Sequence, residues 1–191
     1  MVDVTAHAEP SQHMISASTC PVTTRLAAST DLAAIADLNA KVFGPGRFAR
    51  SAYRIREGKG LMSKYCRVAD RDGQLIASLR LTETGIGGEF GAALLGPLAV
   101  HPDFTGQGYG RKLVAEAIED MRAAGIKLVV LVGDEPYYGR FGFKRAPAGQ
   151  LVFPGPVNPH RILALELQEG ALQAYRGAIS ATVPPGVSGN S

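Results

Sequence analysis

The sequence predicts an α/β fold built on a sheet with both parallel and antiparallel pairs, and three observations carry that prediction. Residues 92–100 and 127–132, the latter apolar from Leu128 on, are continuous runs of the kind that mark strands buried on both faces. Between them Leu113, Val114, Ala117, Ile118 and Met121 recur at helical spacing. A strand, helix, strand unit of this kind makes the two strands parallel with a right-handed crossover. Finally, two β-rich runs, 65–70 and 74–83, flank Arg71-Asp72-Gly73, the signature of an antiparallel hairpin.

The remaining elements follow in order. Residues 1–20 are polar and read as a flexible extension, and 22–27 as a first strand. Ser29 or Thr30 offers an N-cap oxygen and Asp31 suits the positive end of a helix. That helix carries Leu32, Ile35, Ala36, Val42 and Phe43 and stops at Gly44-Pro45-Gly46. A second helix is expected over 48–57, with Arg47, Arg50 and Arg54 on one face. The glycine-rich stretch 85–91 reads as a loop before the first apolar run. Gly125 ends the helix between the two apolar runs, a short helix is expected over 136–141, and a strand near Phe143 follows it. A last strand is expected over 162–167. The single domain is thus expected over 21–168, with 169–191 a short helix and a Pro/Gly/Ser-rich disordered tail.

Composition narrows the function. With 46% apolar and 19% charged residues the chain is globular, and 191 residues suffice for one core. A net charge of +3 suits an anionic cofactor but lacks the clustered basic character of a nucleic-acid binder. Cys20 and Cys66 form no C-x-x-C pair, and no metal site is expected. No apolar stretch reaches the about 20 residues of a membrane helix. Residues 1–20 have no apolar core before a cleavage site, so the expected location is cytoplasmic.

The chemistry is concentrated in residues 95–143. Pro97 lies inside an otherwise buried strand, which marks either a structural bulge or a place where the neighbouring strand has moved away. Separated strands leave N–H and C=O groups that a ligand with its own amides, such as pantetheine, can satisfy. Then comes Thr105-Gly106-Gln107-Gly108-Tyr109-Gly110-Arg111-Lys112. Three glycines at alternate positions let the backbone approach a ligand, and the helix that starts there offers unpaired N–H groups and a dipole that favour an anion. Arg111 and Lys112 add charge. The spacing is neither a Walker loop nor the G-x-G-x-x-G of a dinucleotide fold. After the second apolar run stands Tyr137-Tyr138-Gly139-Arg140-Phe141-Gly142-Phe143. Tyr137, Phe141 and Phe143 are expected in the core, and Tyr138 at the cleft as a general acid for a departing thiolate.

These residues resemble the GNAT superfamily of acyl-coenzyme A-dependent N-acetyltransferases, and most closely its YhbS-like branch. The family's cofactor motif opens with Gln or Arg and closes with two alternate small residues. Here Thr105 replaces the first, while Gly108 and Gly110 match. The family's aromatic-Tyr-x-x-x-Gly-Phe motif is met in full by residues 137–143. The resemblance implies a strongly twisted mixed sheet, helices on both faces and a V-shaped split between the strands ending at Val100 and Val132. It implies acetyl-CoA as cofactor, held by Leu98, Ala99, Val100, Thr105, Gly106, Gln107, Gly108, Tyr109, Gly110, Arg111 and Tyr138. It further implies direct attack of a small-molecule or peptide amine on the thioester, with Tyr138 as catalytic acid and an N–H near Leu98 or Ala99 polarising the carbonyl. Members often pair as homodimers.

Two positions depart from the family. A glutamate base found in some members and an asparagine found in many correspond to Leu94 and Leu131. Glu83, Glu89 and His101 are then the candidate bases, beside proton loss through water. Residues 43–56, 85–91 and 151–159 are the candidate acceptor-binding stretches. A non-catalytic acyl-CoA-binding sensor is the rival to the enzyme.

Overall fold

The computed structural model describes residues 21–46, 54–55 and 63–181. The expected N-terminal extension, Cys20, Arg47, Arg50, most of the helix expected over 48–57 and residues 182–191 lie outside them.

Strand β1 (Thr23–Leu26) leads to a 3-10 turn, Ser29–Asp31, and helix α1 (Leu32–Phe43). The turn is fastened by Asp31 rather than by Ser29 or Thr30. Its carboxylate accepts the Ala28 N–H at 2.7 Å and takes two hydrogen bonds from the Arg25 guanidinium. Strands β2 (Arg67–Arg71) and β3 (Gln74–Ile86) form the expected hairpin. Both residues between them, Asp72 and Gly73, adopt positive φ, as a tight hairpin turn requires.

Strand β4 (Glu89–Val100) returns antiparallel to β3. The stretch 85–91 is therefore not a loop. Only Gly87 and Gly88 turn the chain, and Gly85 lies in a ladder opposite Ser180. Helix α2 (Tyr109–Ala123) then crosses to β5 (Leu128–Val132), which lies parallel to β4. After α3 (Glu135–Tyr138) and a 3-10 turn come β6 (Lys144–Arg145), β7 (Leu151–Val152) and β8 (Ile162–Glu166). The chain from Gln168 carries more than the expected short helix and tail. A 3-10 turn at Ala171–Ala174 is followed by β9 (Gly177–Ala181), which pairs with the second half of β3. The sheet order is β1-β2-β3-β4-β5-β8-β6, with β9 beside β3 and β7 beside β9.

Alternation along the central strands divides the core in two. Ala93 and Leu95 of β4 and Val129 and Leu131 of β5 pack with the apolar stripe of α2. Ala92, Leu94, Leu128 and Val130 face the other side, where Ile55, Phe153 and Tyr175 cover them. On the α2 side, the Arg67 guanidinium reaches Glu116 and Asp120, each at 2.7 Å, and ties β2 to the helix.

Two irregularities shape the sheet beside the glycine loop. The parallel ladder joins only Ala92–Leu94 to Leu128–Val130, so β4 and β5 part company after three residues. Opposite, the two-residue step Leu79 to Leu81 on β3 meets the three-residue step Leu95 to Leu98 on β4. This is a bulge at Gly96-Pro97, and both alternatives raised by Pro97 hold. The bulge also reverses the alternation, which turns Leu98 and Val100 toward α2.

Candidate active site

Where β4 and β5 separate, a cavity of about 550 Å³ opens at their C-terminal ends. Its strand side is formed by Leu98 and Val100, the two residues turned inward by the bulge. The loop after β4 contributes Thr105, Gly106, Gly108, Tyr109, Gly110 and Arg111. The structure thus brings together eight of the residues expected at a cofactor site.

Three others stand apart. The Ala99 side chain is fully buried, so it can offer a ligand only main-chain atoms. The Gln107 amide turns back to donate to the Asp103 carbonyl at 3.0 Å, bracing the loop from outside. Tyr138 packs against the α2-side core, its ring 5.8 Å from that of buried Phe143. Tyr137, expected in the core, lines the cavity instead with Val42, Phe104 and Arg140. No signal in the sequence separates these two adjacent tyrosines, whereas Phe104 directly precedes the glycine loop.

The loop is built for an anion. Gly106 and Gly108 have φ of 76° and 91°, a region that side chains disfavour. The first helical bond runs from the Lys112 N–H to the Gly108 carbonyl at 3.0 Å. The amides of Tyr109, Gly110 and Arg111 therefore have no acceptor within the helix, at its positive end. A Cβ on Gly110 would come within 3.1 Å of the Tyr137 hydroxyl and 3.2 Å of Val100 Cγ2, so glycine there keeps the helix start close to the strand. Thr105 fixes the approach to the loop by donating its hydroxyl to the Pro102 carbonyl at 2.9 Å.

Residues 23–146 match the acetyltransferase (GNAT) domain family. The chain is a GNAT acetyltransferase family member. It is 28% identical over 130 residues to the uncharacterized N-acetyltransferase YjhQ of Escherichia coli, covering 66% of this chain and 71% of that protein. With the uncharacterized N-acetyltransferase YhbS of the same organism it shares 29% identity over 132 residues, 69% and 78% of the two chains. The crystal structure of YhbS in complex with CoA superposes with a TM-score of 0.72 over 93% of this chain and 94% of that one, at 26% identity. A GNAT acetyltransferase from Brucella melitensis in complex with acetyl-CoA gives a TM-score of 0.57 at 30% identity, over 76% of this chain and 96% of that one.

Within this GNAT fold the candidate bases are widely scattered. Glu89 begins β4, about 35 Å along the strand from Val100. Glu83 pairs with Ala93, well up the same ladder, and acts electrostatically on the Tyr65 hydroxyl. His101 follows Val100 but is buried, its Nε2 2.6 Å from the Lys41 amine. Of the acceptor stretches, the glycine turn of 85–91 lies at the same end of β4 as Glu89 and does not line the cavity. The other two do meet: Ile55 packs in one cluster with Phe153, and the Arg54 guanidinium lies over Gly155.

Gly133 has a visible task. A Cβ there would stand 2.5 Å from Cε2 of Tyr138 and 2.7 Å from Cδ1 of Leu131. The missing side chain lets the Tyr138 ring lie against the end of β5. Replacing Gly133 with alanine is expected to destabilise the fold by about 1–3 kcal/mol through overpacking. Thermal denaturation reads this directly, and an unchanged melting temperature would show that the ring has another place to go.

Proposed function

We propose that the protein is an N-acetyltransferase that moves an acetyl group from acetyl-CoA to a primary amine of a small molecule or peptide. The observation that carries this reading is the cavity at the parted ends of β4 and β5, closed on one side by the glycine loop. Its donor set suits the cofactor, since unpartnered helix amides match a pyrophosphate and a bare strand edge matches the pantetheine amides.

Acetyl-CoA supplies the acetyl group as an activated thioester. The amides of Tyr109, Gly110 and Arg111 bind the pyrophosphate, aided by the open backbone at Gly106 and Gly108 and by the Arg111 side chain, while Thr105 serves by fixing the approach to the loop. Gln107 serves through its main chain, because its amide braces the loop. Leu98, Ala99 and Val100 orient the pantetheine arm through backbone groups, with the two outer side chains against it. An N–H near Leu98 or Ala99 polarises the thioester carbonyl. Tyr138 does not itself line the cavity, but its ring packs 4.8 Å from that of cavity-lining Tyr137, and to it we assign the proton for the departing thiolate. Glu83, Glu89 and His101 are each engaged or distant, so the amine loses its proton through water.

Calorimetric titration with acetyl-CoA and CoA, with ATP as control, tests the cofactor. Saturable binding of both coenzyme A forms but not of ATP is the expected result, and absence of binding would leave the loop a structural turn. The rival, a non-catalytic acyl-CoA sensor, draws support from Leu94, an apolar residue 1% exposed where some GNAT members carry glutamate. Thiol release with a panel of amines separates the two, since a sensor binds acetyl-CoA and releases no thiol with any amine.

A further inference from the structure

Two polar side chains on the β5 side of the cavity have no role in the proposed reaction. Tyr137 and Arg140 both come from the segment after β5, so they face the glycine loop across the split. The Arg140 guanidinium carbon stands 5.2 Å from the centre of the Tyr137 ring, a cation–π contact that holds the charge over the ring. Arg140 also donates to the Pro136 carbonyl at 3.5 Å, a weak tether that leaves most of its donors free to point elsewhere. The Tyr137 hydroxyl is aimed at the start of α2, where a Cβ on Gly110 would be 3.1 Å from it. From the loop side, the Arg111 guanidinium folds back over Gly108, 3.3 Å from where a Cβ there would stand. Arg111 and Arg140 both act on the Tyr137 hydroxyl electrostatically, against the larger effect of burial, so the phenol and the two cations share one space.

We infer that Tyr137 and Arg140 form a second anion-binding wall facing the glycine loop, which grips a phosphate group of the cofactor from the side opposite the helix amides. The inference rests on the acetyl-CoA reading and adds residues outside the glycine loop that specify a phosphorylated ligand. A hydroxyl and a guanidinium together make charge-assisted bonds to a phosphate, and a guanidinium supplies paired donors to two of its oxygens. CoA offers two such groups, the pyrophosphate and the 3′-phosphate. Both present the same chemistry to this wall.

The test uses calorimetric titration of the full chain and of Arg140→Gln and Tyr137→Phe with CoA and with 3′-dephospho-CoA, at low and moderate salt. Arg140→Gln is expected to weaken CoA binding about tenfold, and Tyr137→Phe by a smaller factor. The salt dependence of affinity should be shallower in Arg140→Gln than in the parent, because one screened ion pair is gone. Equal weakening toward both ligands assigns the wall to the pyrophosphate. Weakening toward CoA alone assigns it to the 3′-phosphate. Melting temperatures within a degree or two of the parent establish that both variants fold, as expected for a half-buried ring edge and an exposed guanidinium. If the parent binds CoA and Arg140→Gln binds it equally well with the same salt slope, the wall does not exist. If the parent itself binds no CoA, the cofactor reading falls and this inference with it.

Discussion

Replacing Gly108 with valine is expected to abolish coenzyme A binding in a calorimetric titration. Gly108 holds φ of 91°, and a β-branched residue forced into that region costs about 1–2 kcal/mol or more. The backbone relieves such strain by rotating, and Gly108 is the residue whose carbonyl accepts the first bond of α2. Rotation there re-aims the amides of Tyr109, Gly110 and Arg111 together. The added side chain also meets the Arg111 guanidinium, 3.3 Å from the new Cβ. Three donors and one charge are thus misdirected by a single change, whereas the buried stripe of α2 is untouched. Circular dichroism should show an intact fold with a modestly lower melting temperature. Parent-like affinity in a folded Gly108→Val protein would mean that the anion is held elsewhere.

Tyr138→Phe is expected to lower turnover by about 10²-fold while leaving cofactor affinity almost unchanged. The ring keeps its seat on Gly133 and its contact with Phe143, so only the hydroxyl is lost. That hydroxyl is held above the ordinary phenol value, first by burial and then by the neighbouring Tyr137 and Asp134, with Arg161 opposing. It therefore keeps its proton throughout the neutral range, as a proton donor must. If this phenol sets the alkaline limb of turnover, that limb lies above the ordinary tyrosine value of about 10. The same shift affects stability. A group whose folded-state value is raised contributes stability that is complete below its unfolded value and is lost as pH climbs through the folded one. The phenylalanine variant lacks the group, so its melting temperature should fall less steeply above about pH 10. Unchanged turnover in Tyr138→Phe would remove the residue from the chemistry.

Much of this was legible because the signals are local. The stripe of α2, the apolar runs of β4 and β5 and the glycines before Tyr109 each declare themselves within a dozen residues. What was not legible depends on partners far away in the chain. β9 is a short run of mostly small residues, Gly177–Ala181, and becomes a strand only because β3 extends past the end of β2 and leaves an edge for it. Gly85 and Gly91 suggested a loop, yet Gly85 pairs in a ladder and the Gly91 carbonyl accepts the Lys127 N–H at 2.8 Å. Glycine permits a turn without demanding one. Tyr137 and Tyr138 differ by one position, which is about 100° around a helix, so the phase of α3 alone decides which ring reaches the cavity. Val42 lines the cavity from α1, and nothing in its own neighbourhood announces that.

The early parting of β4 and β5 has a kinetic consequence. β4 stays hydrogen-bonded to β3 as far as Val100, and β5 stays bonded to β8 as far as Val132, so neither strand relies on the other at the gap. A ligand sliding between them breaks no ladder bond. The separation is complete once the chain has folded, and its width is held by the outer neighbours of each strand. Among the described residues, association then requires no parting of these two strands ahead of it.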